Sequence, residues 1–301
     1  MRPRSPVAWL RPALAALALS PLAARAQSAP PSPAPADTTR EVLAAAGTTS
    51  GSAPAPSAAT TPGPGVAPEE PFTADRPGFT FGPTLLPRGH QQVETGYSYG
   101  RVGAERDHAL GEVLLRAGLA SAVEMRLALN SYEFASSPDG RASGLDDAFI
   151  ATKLRLLIAG NGVSLRPQTA LIVGTSLPIG SRAFGRHRTE PDALLTASWT
   201  APLATALTLN LGAASRDAGA GTRVGEYRYG ASYAFPIAAH VGSYVEYTSS
   251  WTGAHGAEQR YLNTGVAVVP GHVAQLDAWT AFGLHRGAPD YHFGLGLSRR
   301  W

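Results

Sequence analysis

The chain has 301 residues, no cysteine and a formal charge of +3 at pH 7. Without cysteine it has neither a disulfide framework nor a thiolate metal site. Its basic residues other than Lys153 are all arginines, and they are scattered along the chain. The positive charge therefore does not indicate a nucleic-acid-binding surface.

The first residues have the pattern of an export signal. Arg2 and Arg4 precede an apolar run over residues 12–24, and the small-residue triplet Ala24-Arg25-Ala26 follows. The run is interrupted by Pro21 and is too short for a membrane helix, which needs about 20 residues. We predict a signal peptide over residues 1–26, removed before Gln27.

Residues 27–71 are dominated by Ala, Pro, Ser, Thr and Gly. Few bulky side chains are available for burial, so nothing offsets the entropy lost on ordering. We predict a disordered tether here, and a single folded domain over residues 72–301.

The domain begins with a proline-interrupted stretch, residues 72–90, that includes Asp75, Arg76 and Phe79. It precedes the first periodic segment and has no alternation of its own. Two interpretations fit it equally well. It could fold into the interior of the domain as a small plug or solute contact, or it could form a periplasmic cap.

From residue 91 onward, apolar and polar residues alternate with period two, which predicts β-strands. No apolar run after residue 26 is long enough for a membrane helix. Eleven prolines follow the tether, and none falls inside a predicted strand. We predict twelve strands, centred on residues 91–99, 109–119, 123–132, 147–157, 168–177, 192–199, 206–212, 226–235, 241–249, 260–268, 273–283 and 291–301.

Three features favour a transmembrane barrel over a soluble barrel or sandwich. The strands have about the 9 to 11 residues that cross a bilayer when tilted. Long connections near 100–108, 133–146, 178–191, 213–225, 250–259 and 284–290 mostly alternate with short turns. Tyr and Trp lie near strand ends, as in the interfacial girdles of outer-membrane barrels. The predicted fold is an antiparallel up-and-down β-barrel with both termini in the periplasm.

In such a barrel the apolar faces contact lipid and the polar faces line the lumen. Leu209 is predicted to face lipid, so an arginine should be tolerated better at Asn210, its inward neighbour, than at Leu209. Glu246 and Asp277 are expected to influence ion selectivity. The predicted lumen-lining residues are Glu94, Glu112, Arg116, Glu124, Arg126, Asn130, Asp147, Lys153, Arg155, Arg228, Glu246, Asp277 and Arg300.

Several short motifs resemble, in order, a family of outer-membrane proteins described as transporters or as a putative MetA pathway of phenol degradation. The resemblance covers roughly residues 72–301. The motifs are Thr73-Ala74-Asp75-Arg76-Pro77-Gly78-Phe79, Leu86-Pro87-Arg88-Gly89, Gln92-Val93-Glu94-Thr95-Gly96-Tyr97, Leu115-Arg116-Ala117-Gly118-Leu119, Gly144-Leu145-Asp146-Asp147, Lys153-Leu154-Arg155, Leu177-Pro178-Ile179-Gly180, Val245-Glu246-Tyr247, Gln275-Leu276-Asp277 and Gly294-Leu295-Gly296-Leu297-Ser298. Ala117 and Arg299 depart from the family pattern.

The resemblance implies a Gram-negative outer-membrane channel or transporter for small organic solutes, with aromatic compounds as a candidate class. The terminal Trp301 resembles the final residue that the barrel-assembly machinery recognises. Expected partners are therefore outer-membrane lipids, that machinery and an unknown solute, with no nucleic acid and no cofactor.

Two other functions stay open from the sequence. A closed barrel could serve only as an anchor or scaffold. An outer-membrane lipase or esterase is the other alternative, because His255 follows Ser249, Ser250 and Thr252, and His187 follows Ser181. These residues lack a nucleophile elbow or a third catalytic partner. His285 and His292 have no convincing metal-ligand setting, so we predict neither a catalytic nor a metal site.

Overall fold

The computed structural model describes residues 71–159, 163–186, 188–218, 222–253, 258–285 and 288–301. The predicted signal peptide and the predicted tether up to residue 70 lie outside these described residues. Within the described ranges, no helix has the length and apolar character needed to cross a membrane.

The described part of the chain forms thirteen strands and one short 3₁₀ turn, Pro202–Ala204. The strands are β1 (Gln91–Val102), β2 (Glu105–Ala120), β3 (Val123–Ser137), β4 (Gly140–Leu145), β5 (Ala148–Leu157), β6 (Gln168–Leu177), β7 (Pro191–Ala201), β8 (Thr205–Asp217), β9 (Arg223–Ala238), β10 (Val241–Thr252), β11 (Glu258–Val268), β12 (Ala274–Gly283) and β13 (Tyr291–Arg300).

Twelve of these strands close into an antiparallel barrel. Each pairs with its sequence neighbours, β3 pairs with β5 across residues 123–128, and β1 pairs with β13. The short β4 pairs with the second half of β3 and extends that hairpin beyond the ring. The predicted up-and-down transmembrane barrel of twelve strands is confirmed, and each predicted strand centre falls in one strand of the ring.

Several predicted outer loops are strand instead, which corrects the sequence-based boundaries. Residues 100–108 belong to β1 and β2 except at the Gly103–Ala104 turn, and residues 133–145 form most of the β3–β4 hairpin. β8 likewise continues to Asp217. The alternation that marks a strand requires one lipid face and one polar face. Where a strand extends past the bilayer, water contacts both faces and the pattern weakens.

The outward face of the ring is apolar. Exposed side chains on it include Leu115, Leu207, Leu211, Leu262 and Leu295. Proteins in water rarely expose contiguous apolar surface on this scale, whereas lipid tails match it. Aromatic side chains pair across neighbouring strands on the same face, as at Tyr227 and Trp251, whose ring centroids are 5.7 Å apart.

The two ends of the barrel differ. At the end that we call proximal, Gln91 and Trp301 exchange backbone hydrogen bonds of 3.0 Å in both directions, so the first and last strands begin and finish together. At the opposite, distal end lie the connections 178–190 and 284–290, whereas the connection 158–167 lies at the proximal end. The even strand number therefore leaves both ends of the barrel sequence on the same side.

Candidate functional site: the interior of the barrel

Residues 72–86, which we call the inner segment, lie inside the barrel. Pro71, which immediately precedes the segment, accepts a hydrogen bond from Arg300 at the proximal end. The segment reaches mid-height at Phe79–Phe81, then returns until Gly89 bonds Gly118 next to the proximal rim. Most of its side chains are buried, among them Phe72, Leu85 and Leu86. The structure thus places this stretch within the ring and not as a cap across its end.

The backbone of the inner segment is held by side chains of the wall and forms no strand of its own. Glu94 accepts the N–H groups of Asp75 and Arg76 at 3.0 and 3.1 Å. The amide of Asn210 accepts the N–H of Phe81 at 2.7 Å and donates to its carbonyl at 3.0 Å. Buried irregular backbone needs such partners, and here they come from strands far apart in sequence.

Glu246 and Asp277 belong to the same set of contacts. Glu246 accepts the N–H of Phe79 at 2.7 Å, and Asp277 contacts the guanidinium of Arg76 at 3.4 Å. Their influence on ion selectivity stays a prediction. In this arrangement both carboxylates hold the inner segment, so neutralising them would first weaken its attachment.

Asp75 is the centre of a buried ion network in the proximal half. Its carboxylate pairs with Arg126 and lies 3.7 Å from both Arg116 and Lys153. Arg116 also binds Glu94 at 2.9 Å and Glu124 at 2.8 Å. Three carboxylates therefore face three cations, and the charges in this buried volume balance. A buried charge whose partner is removed costs several kcal/mol, so the balance depends on Asp75 staying in place.

The pKa of Asp75 follows from this setting. Burial on its own raises the pKa, but Arg116, Arg126 and Lys153 outweigh burial and hold it well below the ordinary 3.8. A lowered pKa means that the stabilisation is complete above about 3.8 and is lost only as the pH falls through the lower, folded value. Asp75 therefore stays ionised at mildly acidic pH.

Arg76 reaches the neighbouring part of the wall, formed by β2, β12 and β13. It binds Glu112 at 2.8 Å and the carbonyl of Leu295 at 3.0 Å. Burial opposes its charge, yet Glu112 and Asp277 together raise its pKa. The guanidinium fits because Gly296 lies against it: a Cβ atom there would approach Arg76 Nε to 2.1 Å.

A bulge in the wall supplies the partner of Arg76. Glu112 has a positive φ of 40° beside Gly111 at 101°, and the register of β2 against β3 shifts at this point. Bulges re-aim side chains next to functional sites. The carboxylate of Glu112 is thereby buried against Arg76 and accepts a further hydrogen bond from Ser98 at 2.6 Å.

The deepest part of the inner segment is aromatic. The Phe79 ring packs edge-on against Trp279 and Tyr261, with centroids 5.1 and 6.0 Å away. Phe81 packs against Ile172 and Leu194, two apolar side chains that point into the barrel from β6 and β7. The interior is therefore not uniformly polar, since apolar groups of the wall and of the inner segment meet at mid-height.

Distal to these rings lies a cavity of about 160 Å³. Phe79 and Phe81 form part of its lining, together with Ile172 and Leu194. The distal connection 178–190 folds towards it, because Asp147 accepts the N–H groups of Gly180 and Arg186, both at 2.8 Å. The cavity thus lies between the inner segment and this connection.

A second ion network surrounds the distal side of the cavity. Arg216 contacts Glu226 at 3.1 Å and Asp192 at 3.3 Å. Arg228 binds Asp192 at 2.6 Å, and Arg186 binds Glu190 at 3.4 Å. Of these residues the sequence reasoning found only Arg228, since most of the others fall in or beside the predicted loops 178–191 and 213–225. β8 continues to Asp217. Extending the predicted strand to that residue would have placed Arg216 on the inward face with Asn210.

Most predicted lumen-lining residues are buried and on inward positions of the wall. Asn130, Arg155 and Arg228 are partly exposed, and Asn130 lies at a bulge with a φ of 45°. That any of them lines a solute path stays a prediction. The buried members are Glu94, Glu112, Arg116, Glu124, Arg126, Asp147, Lys153, Glu246, Asp277 and Arg300.

The two histidines considered for a hydrolase cannot be placed relative to their neighbouring serines. His187 and His255 lie outside the described residues. His292 is buried inside the barrel against Tyr261, with ring centroids 5.7 Å apart. Across the described ranges, no group of three or more His, Cys, Asp or Glu side chains is placed to hold a metal ion.

Known proteins share this sequence pattern and fold. A sequence model of a family described as "Putative MetA-pathway of phenol degradation" matches residues 74–301. An outer membrane channel from Pseudomonas putida F1 superposes with a TM-score of 0.57 at 14% identity, covering 72% of this chain and 97% of that one. The NanC porin gives 0.50 at 9% identity, covering 69% and 98%. No curated protein sequence matches this chain.

Proposed function

The chain belongs to the family described as "Putative MetA-pathway of phenol degradation", and from this membership and the interior of the barrel we propose an outer-membrane channel for small organic solutes. In the resting state its own inner segment closes the lumen. The protein lies in the outer membrane of a Gram-negative cell, with lipid around the apolar face of the ring. Aromatic compounds are the solute class that the family description supports.

The observation that carries this proposal is that the ring is complete without the inner segment. The twelve barrel strands pair with each other around the whole circumference. The inner segment contributes no strand and is attached through side-chain hydrogen bonds and ion pairs. It can therefore leave the lumen without breaking the wall, which is what a removable plug requires.

The channel relatives support the same interpretation. The Pseudomonas putida protein is described as an outer membrane channel and NanC as a porin. An anchoring barrel is the second candidate, favoured by the dense packing around Asp75. The two functions differ in one property: an anchor keeps its inner segment in place at all times, whereas a channel must release it.

A disulfide between the inner segment and the wall tests this directly, because the chain has no native cysteine. A Cβ atom built on Gly230 of β9 lies 3.6 Å from Cβ of Thr80, within the separation that a disulfide needs. We expect the oxidised Thr80→Cys, Gly230→Cys double variant to lose the single-channel openings of the wild-type protein in a planar bilayer. Adding a reductant should restore them.

The single variants Thr80→Cys and Gly230→Cys are the matched controls, since each carries one substitution and forms no intrachain bond. Their openings should not respond to oxidant. Openings that persist in the oxidised double variant would mean that solutes do not pass where the inner segment lies. A wild-type barrel that is inserted but silent, both with and without reductant, would favour the anchor.

We also propose that the barrel-assembly machinery recognises the last strand, β13. Trp301 is 58% exposed beside the β1–β13 junction, and the outward residues Phe293, Leu295 and Leu297 precede it at alternating positions. This arrangement suits recognition of β13 by the barrel-assembly machinery. Arg299 interrupts the apolar series at the outward position before Trp301.

A further inference from the structure

The distal cavity has the size of a one-ring molecule. Its volume is about 160 Å³, and an engineered apolar cavity of about 150 Å³ in another protein binds benzene. Part of its lining is apolar: Phe79 and Phe81 of the inner segment, Phe149 of β5, Ile172 of β6 and Leu194 of β7. Ile172 and Leu194 pack against Phe81 and also line the cavity, so the cavity offers an apolar contact to a ligand.

A polar group without a partner lines the same cavity. The side chain of Gln259 on β11 is fully buried, and its Nε2 has no hydrogen-bond partner within the described residues. Its oxygen is already used, because it accepts a hydrogen bond from Tyr261 at 3.2 Å. A buried donor left unpaired costs about 1 to 3 kcal/mol. A ligand with an acceptor oxygen would remove that cost.

The charges around the cavity disfavour an anion. Arg186, Arg216 and Arg228 are each ion-paired with carboxylates of the distal network. Asp146 and Asp147 line the cavity as well, so acidic groups at the rim outnumber the arginines. A carboxylate would have to displace an existing ion pair. A cation would have to compete with these three arginines for Glu190 and Asp192, the carboxylates that they already bind.

We propose that the distal cavity is a binding site for one small uncharged aromatic molecule that carries a hydroxyl or carbonyl oxygen. The ring packs against Phe79, Phe81 and the apolar side chains of β6 and β7, and the oxygen accepts a hydrogen bond from Gln259 Nε2. The site deepens the proposed channel function and rests on it. Because the inner segment supplies part of the lining, an occupied site is also in contact with the plug.

Calorimetric titration tests the site with three one-ring probes, phenol, toluene and benzoate. The full mature chain would be embedded in lipid nanodiscs, with empty nanodiscs as the blank for partition into lipid. We expect saturable binding of one phenol per chain, weaker binding of toluene and the weakest binding of benzoate. Replacing Gln259 by Leu should weaken phenol binding about five- to tenfold, the effect of one lost hydrogen bond, and leave toluene unchanged.

Gln91→Leu is the matched control, because Gln91 is exposed at the proximal end and the chemical change is the same. Three results would overturn the proposed site: no saturable binding of phenol, an equal loss of phenol affinity in both Leu variants, or tighter binding of benzoate than of phenol. If phenol does not bind but oxidation of the Thr80→Cys, Gly230→Cys variant still blocks conductance, the proposed channel stands and only the ligand site is wrong. If the wild-type protein also shows no channel openings, the proposed function itself is rejected.

Discussion

Replacing Asp75 by Asn should raise the open probability of the channel about 100-fold. The substitution keeps the size of the side chain but removes the negative charge that Arg116, Arg126 and Lys153 share. Three buried cations would then face only Glu94 and Glu124. Loss of one partner from a buried network costs about 3 kcal/mol or more, and about 1.4 kcal/mol corresponds to a tenfold change in an equilibrium. Single-channel recording measures the change.

Asp139→Asn provides the control, since Asp139 is exposed in the turn between β3 and β4 and undergoes the same chemical change. A second variant tests the cause. Adding Lys153→Met to Asp75→Asn removes one cation, which restores the balance, and should reclose the channel at least in part. Wild-type gating in Asp75→Asn would refute the idea that this ion network holds the segment. An increase that Lys153→Met does not reduce would mean that charge balance is not the cause.

Replacing Leu209 by Arg should destabilise the inserted barrel by about 2 to 4 kcal/mol, the cost of an arginine on the lipid face near the bilayer midplane. Leu209 lies near the middle of β8, faces outward, and is paired with Ala197 and Ala231. Neither alanine side chain can form an ion pair or a hydrogen bond with the introduced arginine. Urea titration of the barrel folded in lipid vesicles gives the free energy of unfolding for each variant.

Ala213→Arg is the control on the same strand and the same face. Ala213 pairs with Tyr227, at the height of the Tyr227–Trp251 aromatic pair, where an arginine should cost about 1 kcal/mol or less. Equal losses at Leu209 and Ala213 would contradict this placement of the bilayer. Asn210, expected from the sequence to tolerate arginine, is a poor control because its amide binds both backbone groups of Phe81. Arginine there should displace the inner segment.

The wall of the barrel could be predicted from the sequence because the bilayer imposes a period-two pattern on every strand that crosses it. Glu94, Arg116 and Glu124 were identified as inward residues on that basis alone. The pattern weakens where strands leave the lipid, so Arg216, in the predicted loop 213–225, was missed. The β4 extension was missed for the same reason, since neither face of residues 140–145 contacts a continuous apolar layer. Glu226 begins the predicted strand 226–235 and shares a face with Arg228, so the alternation could have identified it.

The path of the inner segment could not be read from the sequence. Its residues have no period, because each one contacts its own set of strands: Asp75 contacts β1, β2, β3 and β5, Phe79 contacts β10, β11 and β12, and Phe81 contacts β6, β7 and β8. Such contacts depend on how the closed ring brings distant strands together. Asp75, Arg76 and Phe79 were singled out by their chemistry, but only the structure identifies their partners.

The junction between β1 and β13 has a consequence for the order of assembly. The inner segment is followed after four residues by β1, and Arg300 at the end of β13 donates to Pro71, the residue before the segment. The chain therefore enters the lumen beside the seam where the first and last strands pair. The segment can be enclosed as these strands join and need not thread through a finished ring, so a newly made barrel can be sealed from the moment it closes.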